Sequence, residues 1–330
     1  MKIPSRILTG AALFAAVLSP SFAQTATTKP VGYRTEVLKG AGAFNLLSPN
    51  LDNPVGAAGT IDAIAATALT DNEANFSAAF TAGEALTLKI MDGANAGLIT
   101  DVVSFTATAL TTSDNISTLI ANGVKYEVRK TPTIASIFGA TNSAGLLAGL
   151  AATADIVWVP DGSGGYLRVF FSTGGTQGAG WRSVGGLTAD RANAVVGITD
   201  AVFIQRRATT DLSVVFTGHV QTTATKTPVI TGFNPISRVI PVGLSLADSD
   251  LETELAQGLA GTADLLWNPN GQGGYTRYFY STGGTQGTGW RSVGGLTTDQ
   301  STATLQSGFL VQRRGAATNA TLRIPSGLDL

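Results

Sequence analysis

The sequence predicts a mainly β protein: an N-terminal β-sandwich or barrel-like domain followed by two duplicated small α+β domains, each a helix packed on an antiparallel meander. Glycine, threonine, alanine and serine are abundant, only 13% of residues are charged and apolar runs are short, as in chains of short strands joined by tight turns. The apolar content of 44% is that of a globular protein. The sequence "STGGTQGAGWRSVGGLT" at 172–188 also returns almost unchanged at 281–297.

Residues 1–23 have the three parts of a secretory signal peptide. Lys2 and Arg6 form a basic start, an apolar run follows, and the small-residue exit ends at Ala23. The apolar run of about 12 residues is too short to span a bilayer, for which roughly 20 are needed, and an uncleaved anchor is the alternative. We expect cleavage before Gln24, export to the periplasm, cell surface or medium, and no membrane-spanning segment in the mature chain.

Charge and cysteine content narrow the classes of partner. After signal cleavage the chain has 19 basic and 22 acidic residues, spread without blocks. Nucleic acid is therefore excluded as a partner, since it requires a basic face. The chain has no cysteine, which excludes disulfide and thiol chemistry. Its length allows a core that needs no disulfides.

Residues 24–130 are predicted to form the N-terminal β domain. The segments "GYRTEVL", "EALTLKI" and "VVSFTAT" alternate apolar and polar residues, as half-buried strands do. Turn-forming sequences such as "SPNLDNP" and "MDGANAG" separate these segments. A domain boundary is expected at "RKTPT".

A repeated unit of roughly 100 residues occupies the remaining sequence. Placing Trp158 on Trp267 aligns the two copies at an offset of 109, and after a two-residue deletion "FIQRR" falls on "LVQRR". A unit of this length suits a duplicated small domain better than a solenoid or propeller repeat. The predicted repeat domains are 131–228 and 229–330.

One helix is expected in each repeat domain. In the second, Ser249 and Glu252 have capping-box spacing ahead of "LETELAQGL", and Leu251, Leu255 and Leu259 would share one helical face. The matching segment of the first repeat, "NSAGLLAGLAATAD", is shorter and interrupted by glycine. The sequence favours the helix less strongly there.

A hairpin follows in each repeat. Pro-Asp-Gly or Pro-Asn-Gly with a Gly-Gly pair is typical of a hairpin turn, because glycine supplies the positive φ. Asp161 and Asn270 are explained by turn formation, since a calcium loop would need several carboxylates. One face of the second hairpin strand is identical in the two repeats, while the opposite face varies. The identical residues are Tyr166, Arg168 and Phe170 in one repeat, and Tyr275, Arg277 and Phe279 in the other.

The repeated loop Gly-Gly-Thr-Gln-Gly-x-Gly ends at a Trp-Arg pair, and three interpretations are open. The aromatic residues are core-formers, with Arg168 stacked on Trp181. Alternatively, they form a solvent-facing platform for a sugar ring or a neighbouring subunit. In the third interpretation the duplication is recent, and the loop sequence is alike without any selection on it. Phosphate binding is disfavoured because the Lys-Ser/Thr of a phosphate loop is missing. The candidate binding residues are Tyr166, Arg168, Trp181, Arg182, Tyr275, Arg277, Trp290 and Arg291.

Of these residues, Trp181 and Trp290 are expected in the cores. The polar ends of the tyrosines and of Arg168 and Arg277 require water or a partner, so we expect them to be partly exposed.

No catalytic or metal-binding motif stands out. His219 is the single histidine, and the chain has neither a Gly-x-Ser-x-Gly elbow nor cysteine ligands for zinc. Asp155 and Asp264, each in "TAD" before a strand, are the repeated acids that a carboxylate-based glycoside hydrolase could use. A role at the start of a strand suits them better. We therefore predict no enzymatic activity, no cofactor and no metal.

These observations predict a non-catalytic exported protein of the cell envelope or extracellular space, with a structural or binding role through its repeated β domains. The first alternative is a glycan-binding module with a Tyr, Arg and Trp platform in each repeat. A carboxylate-based glycoside hydrolase is the second. The expected partners are polysaccharide or other envelope proteins.

The opening "PVGYRTEVLKGAG", the "SIFG" and "TADIVW" junctions and the repeated aromatic strand, Gly-Trp and "FIQRR" pattern resemble a family of secreted bacterial proteins known only as conserved hypothetical. The resemblance covers essentially the whole mature chain. It implies secretion and abundant β-structure, and it supplies no catalytic residues.

Overall fold

The computed structural model describes residues 29–186, 188–295 and 297–314, and the backbone of 320–324. The predicted signal peptide lies outside these residues. The chain is mainly β, with 43% of residues in strands and 8% in helices, and its sheets are antiparallel and curled. The mainly β fold class is thereby confirmed.

The strands of the described residues fall into three groups along the chain. The first group is β1 (Val31–Leu38), β2 (Phe44–Leu47), β3 (Val55–Thr60), β4 (Ala63–Ala65), β5 (Ala68–Thr70), β6 (Leu86–Ile90), β7 (Ile99–Phe105), β8 (Ala109–Thr112) and β9 (Lys125–Lys130). The second group is β10 (Ile156–Pro160), β11 (Tyr166–Thr173), β12 (Ala179–Ser183), β13 (Val202–Gln205) and β14 (Leu212–His219). The third group is β15 (Thr225–Val229), β16 (Gly232–Ser237), β17 (Leu244–Ser245), β18 (Leu265–Pro269), β19 (Tyr275–Thr282), β20 (Thr288–Ser292), β21 (Thr304–Leu305), β22 (Gly308–Arg313) and β23 (Ala320–Ile324).

A seven-stranded sheet is formed within residues 55–130, in the order β3-β9-β6-β7-β8-β5-β4. Two of the alternating segments noted in the sequence, "EALTLKI" and "VVSFTAT", supply β6 and β7. The core of this sheet includes Phe76 and Tyr126, which are both buried. The Tyr126 hydroxyl donates a 2.6 Å hydrogen bond to the buried Asp71 carboxylate, which satisfies a polar group that would otherwise be costly to bury.

Two five-stranded sheets have the same arrangement. Their orders are β2-β13-β10-β11-β12 and β16-β22-β18-β19-β20. In both, the hairpin strands face each other in the same register, with Trp158 opposite Arg168 in the first sheet and Trp267 opposite Arg277 in the second. The aligned sequences therefore form aligned strands.

The partners of the first strands differ from the expectation for residues 24–130. β1, which contains "GYRTEVL", pairs with β14, and β2 pairs with β13. Both partners lie beyond the seven-stranded sheet in the chain, so the segment predicted as one N-terminal domain contributes to three sheets. Alternation along a strand identifies its buried face but not its partner, and here the partner is more than 150 residues away. The boundary predicted at 228/229 also falls inside β15.

The edge strands β2 and β16 carry a short match that the alignment missed, "FNLLS" and "FNPIS". Asn45 on β2 donates through Nδ2 to the carbonyl oxygen of Ile204, at 3.4 Å. Asn234 on β16 donates in the same way to the carbonyl oxygen of Val311, at 3.2 Å. The same side-chain contact thus fixes the edge strand in both sheets.

The helices are short, and none of those in the described part of the chain is long and apolar enough to cross a membrane. They are α1 (Phe76–Ala79), α2 (Ile134–Phe138) and α3 (Leu251–Glu254). In the first repeat the helix is α2, begun by a capping box between Thr133 and Ser136. It does not lie in the segment "NSAGLLAGLAATAD" where a helix was expected.

The helix expected over "LETELAQGL" is one turn long, so this prediction was wrong beyond Glu254. Leu255 is already extended, and Leu259 is 54% exposed rather than on a buried helical face. The physical reason is a competing contact: the Asp264 carboxylate accepts a 2.9 Å hydrogen bond from the Ala256 backbone N–H. This N–H is thereby removed from the helical hydrogen-bond ladder. The predicted capping box is also absent, because the helix N-cap is Asp250 rather than Ser249. The Ser249 hydroxyl accepts a 3.3 Å hydrogen bond from the Leu251 backbone N–H and donates to the Leu246 carbonyl oxygen at 2.7 Å.

A buried polar cluster joins the seven-stranded sheet to the segment that leads into the second five-stranded sheet. Lys89 Nζ on β6 donates to Gln221 Oε1 at 2.8 Å and to Thr225 Oγ1 at 2.9 Å. Gln221 in turn donates to Asp52 Oδ2 at 2.6 Å, and the Arg129 guanidinium lies 3.5 Å from the same oxygen. Burial and, to a smaller extent, the neighbouring Arg129 charge lower the pKa of Lys89 to about 7.

This lowered pKa predicts a pH-dependent stability. Between about pH 7 and the ordinary lysine pKa of 10.5 the unfolded chain binds a proton at Lys89 that the folded protein releases. The contribution of Lys89 to the free energy of unfolding therefore rises with pH in that window. We expect Lys89→Met to flatten the slope of stability against pH between 7 and 10, measured by urea denaturation. An unchanged slope would contradict the assignment, whatever the absolute stability of the variant.

Candidate functional site

The repeated glycine-rich loops are held by the arginine that follows each tryptophan. Arg182 donates to the carbonyl oxygens of Gln177, at 2.7 Å, and Trp181, at 2.9 Å. The second loop has the same contacts, from Arg291 to the carbonyl oxygens of Gln286, at 2.7 Å, and Trp290, at 2.8 Å. Both arginines are nearly buried, with side chains 13% and 10% exposed.

The glycines of these loops are required by the backbone path around the arginine. Gly178 has φ +73° and its counterpart Gly287 has φ +71°, a region that residues with a Cβ rarely adopt. A Cβ at Gly178 would lie at an ordinary contact distance of 3.5 Å from the Arg182 guanidinium, so the positive φ rather than crowding selects glycine. The repeated sequence is therefore explained by a loop wrapped around an internal arginine, and it requires no ligand.

Trp181 and Trp290 lie in the cores of the two five-stranded sheets, as expected, and are 1% and 2% exposed. Trp181 Nε1 donates a 2.9 Å hydrogen bond to the Gly139 carbonyl oxygen. Trp290 Nε1 has no partner among the described residues. Both rings pack edge-on against an aromatic residue of the neighbouring strand: Phe171, at 5.2 Å between ring centroids, and Tyr280, at 5.5 Å.

The repeated acids have a structural role at the ends of the "QRR" strands. Asp155 pairs with Arg206 at 2.7 Å and accepts a 2.6 Å hydrogen bond from the Arg207 backbone N–H. Asp264 accepts the equivalent bond from the Arg314 backbone N–H, also at 2.6 Å. Both carboxylate side chains are fully buried. They join the start of one strand to the end of its neighbour.

The turn residues behave as the sequence predicted. Asp161 Oδ1 accepts hydrogen bonds from the backbone N–H groups of Ser163 and Gly165, both at 2.9 Å. Asn270 Oδ1 accepts the equivalent bonds in the other hairpin. Among the described residues, no group of three or more histidine or carboxylate side chains is arranged to hold a metal ion.

An exposed arginine stacked on a tryptophan is the repeated surface feature of the two sheets. The Arg168 guanidinium lies 5.4 Å from the centre of the Trp158 ring, and Arg277 lies 5.2 Å from that of Trp267. The expected stack of Arg168 on Trp181 was therefore wrong. Arg168 lies directly opposite Trp158 in the strand ladder, whereas Trp181 packs on the opposite face of the sheet.

The two stacked arginines have free hydrogen-bond donors. Both side chains are exposed, and neither forms a hydrogen bond or ion pair with any described residue. Stacking on the ring fixes each guanidinium plane and leaves its N–H groups free. Each sheet thus presents a positioned cation beside a half-buried tryptophan.

Tyr166 and Tyr275 flank these stacks and are half-buried. Each ring contacts the stacked tryptophan edge-on, with centroids 6.1 Å apart for Trp158 and Tyr166 and 6.2 Å apart for Trp267 and Tyr275. Burial raises the pKa of Tyr166, and the Asp161 charge raises it further. Burial likewise raises the pKa of Tyr275, with a smaller contribution from Tyr166.

The two five-stranded sheets meet through their equivalent edge strands. Ser48, just after β2, donates a 2.7 Å hydrogen bond to Ser237 at the end of β16. The Ser237 backbone N–H donates to the Thr199 carbonyl oxygen at 2.8 Å, and the Ala201 N–H donates to that of Pro235 at 3.2 Å. The aromatic faces that carry Tyr166 and Tyr275 therefore meet at this contact. Tyr275 packs against the buried residues Leu46, Ala201 and Leu310, and so does Phe203, whose ring centroid lies 5.8 Å from that of Tyr166.

A cleft of about 540 Å³ opens where the second hairpin faces strands β1 and β2. Its walls include Phe44 from β2, and Tyr275 and Tyr278 from β19. A separate cavity of about 470 Å³, lined by Tyr166, Phe233 and neighbouring apolar residues, lies on the other side of the contact. The two openings are built from equivalent strands.

The structure thus separates the eight predicted site residues into two groups. Two tryptophans and two arginines are internal, while the other four residues lie at the surface around the stacks: Tyr166, Arg168, Tyr275 and Arg277. Sequence reasoning missed Trp158 and Trp267 as the stacked rings, although both were used to align the repeats. It also missed Phe44, for which the match of "FNLLS" with "FNPIS" was the available signal.

Comparison of the chain with protein-family models, with curated proteins and with solved structures finds no match.

Proposed function

We propose that this chain is a non-catalytic exported protein of the cell envelope or extracellular space, which binds polysaccharide through the arginine and aromatic surfaces of its two five-stranded sheets. The observation that carries the proposal is the pair of exposed arginines, each stacked on a tryptophan with its donors free. Export is supported by the tripartite N-terminal signal.

The chemistry of the stacks suits a ligand rich in oxygen acceptors. A guanidinium held by stacking loses little conformational entropy when it donates to a hydroxyl, carboxylate or phosphate oxygen. The half-buried tyrosine beside it adds an apolar ring surface and a hydroxyl. A polysaccharide presents both ring faces and hydroxyl oxygens, and two equivalent sites on one chain would increase the apparent affinity for a repeating polymer.

The hydrolase alternative is less well supported. Asp155 and Asp264 are buried and held by arginine and backbone N–H groups, so neither carboxylate is placed to attack or protonate a substrate. A hydrolase needs two carboxyl groups flanking one bond, roughly 5 to 10 Å apart.

We also infer a domain arrangement for this function. The two five-stranded sheets, with their matching strand orders, represent the duplicated unit, and the seven-stranded sheet represents an N-terminal β domain inserted into the first copy after β2. Strand pairing from 44–47 to 202–205 supports this insertion.

Removing both stacked guanidiniums should abolish most of the binding. We expect Arg168→Gln/Arg277→Gln to weaken polysaccharide binding by at least about 100-fold, because each of the two lost hydrogen bonds from a charged donor contributes about 1.5 to 3 kcal/mol, or roughly 10- to 100-fold. The melting temperature should change little, since both side chains are exposed. Affinity electrophoresis in gels with neutral and acidic polysaccharides measures the effect.

The matched control is Lys125→Gln/Lys130→Gln, which removes two positive charges from the seven-stranded sheet. This control should bind as the unaltered protein does. Equal losses in the two double variants would indicate a nonspecific charge effect. No retardation of the unaltered protein by any polysaccharide would overturn the proposal.

A further inference from the structure

The cleft beside the second hairpin is shaped by two separate parts of the chain. Phe44 comes from β2 of the first five-stranded sheet, while Tyr275 and Tyr278 come from β19 of the second. Its volume of about 540 Å³ lies within the range of about 300 to 1,000 Å³ common for small-molecule sites. The hydrogen bonds between Ser48, Ser237 and their neighbours hold the two walls together.

The cleft walls contain polar groups with no partner in the protein. The Tyr278 hydroxyl forms no hydrogen bond with any described residue, and Tyr278 is 8% exposed. The Asn270 Nδ2 group and the Gln306 side-chain amide are likewise without a partner among the described residues. A nearly buried hydroxyl without a protein partner requires water or a ligand.

An aromatic ring faces the same space. Phe44 is 46% exposed, although its other contact, with Trp158, is an edge-on packing at 6.0 Å. An exposed phenyl ring beside hydroxyl and amide groups matches the two surfaces of a pyranose, an apolar ring face and a rim of hydroxyls.

The charged residues at the cleft are already paired within the chain. Lys39 forms a 2.8 Å ion pair with Asp211, and Glu36 pairs with Arg34. No charge is therefore left to select an acidic or basic ligand. This favours a neutral ligand over an anionic one.

The cavity on the other side of the sheet contact lacks these polar groups. Val169 replaces Tyr278 and is fully buried, and Asp161 replaces Asn270 with its carboxylate occupied by the turn. Phe233, 48% exposed, is the counterpart of Phe44. The two copies of the duplicated unit have thus diverged at the positions that would contact a sugar. The cavity beside the first hairpin therefore serves as an internal control for the cleft.

We infer that the cleft between β2 and the second hairpin binds a short neutral oligosaccharide, with Phe44 stacked on a sugar ring and the Tyr278 hydroxyl donating to a sugar oxygen. This rests on the proposed polysaccharide-binding function and adds a separate subsite for neutral sugar.

Titration calorimetry with neutral trisaccharides tests the inference. The probes are cellotriose, maltotriose, laminaritriose and N,N′,N″-triacetylchitotriose, with trigalacturonate as the acidic comparison. We expect binding of at least one neutral trisaccharide, weakened about two- to tenfold by Phe44→Ala, because a ring contact of this kind contributes about 0.5 to 1.5 kcal/mol. Tyr278→Phe, which removes one hydroxyl and keeps the packing, should weaken binding about fivefold or more.

Phe233→Ala is the matched control, since it removes an equally exposed phenylalanine from the other cavity. It should leave trisaccharide affinity unchanged. Binding that is unaffected by Phe44→Ala and Tyr278→Phe would overturn the cleft assignment, and so would binding of trigalacturonate alone.

Gel retardation by polysaccharide and calorimetry with trisaccharides together distinguish the cleft site from the stacked-arginine sites. If polysaccharide still retards the protein in gels and Arg168→Gln/Arg277→Gln abolishes this retardation, while no neutral trisaccharide binds, the cleft inference is wrong and the proposed function stands. If neither polysaccharide nor trisaccharide binds, both are wrong.

Discussion

Trp181→Ala is expected to lower the free energy of unfolding by about 3 to 5 kcal/mol, the cost of a large cavity in a core. The Trp181 ring is 1% exposed and packs between Phe171 and Phe138, at centroid distances of 5.2 and 6.1 Å. The substitution also leaves the Gly139 carbonyl oxygen without its donor. Urea denaturation followed by circular dichroism measures the loss.

The second sheet supplies the control for this prediction. Trp290 is equally buried, at 2% exposed, but its Nε1 has no partner among the described residues. Trp290→Ala should therefore cost about 1 kcal/mol less than Trp181→Ala, the value of one hydrogen bond. Trp290→Phe should cost less than either alanine substitution, because most of the ring volume is kept. A stable Trp181→Ala protein would show that the ring is not part of the core.

The local features of the fold could be predicted from sequence because each depends on nearby residues. The hairpin turn follows from Pro-Asn-Gly and its Asn270 side chain, whose hydrogen bonds close the turn within four residues. The glycine loop follows from the positive φ that Gly178 and its neighbours require. The burial of Trp181 follows from the small number of large apolar residues available for a compact core.

Strand partners could not be predicted in the same way. The alternation in "GYRTEVL" identifies a strand, yet the partner of Tyr33 is Thr217, on a strand of comparable alternation far along the chain. Several strands in this chain offer an equivalent apolar face, so periodicity does not select among them. The helix expected after Ser249 failed for a different reason, because the competing Asp264 carboxylate, eight residues after Ala256, lies outside the span of local helical contacts.

The candidate site was predicted in part. The identical face of Tyr275 and Arg277 marked the correct strand, because a shared face implies a shared environment. The ring under the arginine was misassigned, since Trp267 lies on the preceding strand and its position depends on the hairpin register. The cleft itself joins β2 to the second hairpin, and only the three-dimensional structure places Phe44 beside Tyr275.

Asp155→Asn is expected to destabilise the first five-stranded sheet by about 3 to 5 kcal/mol, because it leaves a buried arginine without its counter-charge. Asp155 is fully buried and Arg206 is 3% exposed, with 2.7 Å between the paired atoms. The two carboxylate oxygens of Asp155 accept hydrogen bonds from the backbone N–H groups of Leu147 and Arg207. An asparagine amide has only one acceptor oxygen, so one of these two bonds is lost. Thermal unfolding and urea denaturation measure the loss.

The equivalent pair in the second sheet separates the charge effect from the loss of backbone hydrogen bonds. Asp264 also accepts two backbone hydrogen bonds, but Arg313 lies 3.5 Å away and is 13% exposed, so water can solvate its charge. Asp264→Asn should therefore cost less than Asp155→Asn. In the first sheet, Asp155→Asn/Arg206→Met should cost less than the sum of its single substitutions, because the second change removes the uncompensated charge. Equal losses at Asp155 and Asp264, or strict additivity at Asp155 and Arg206, would show that the backbone hydrogen bonds alone account for the effect.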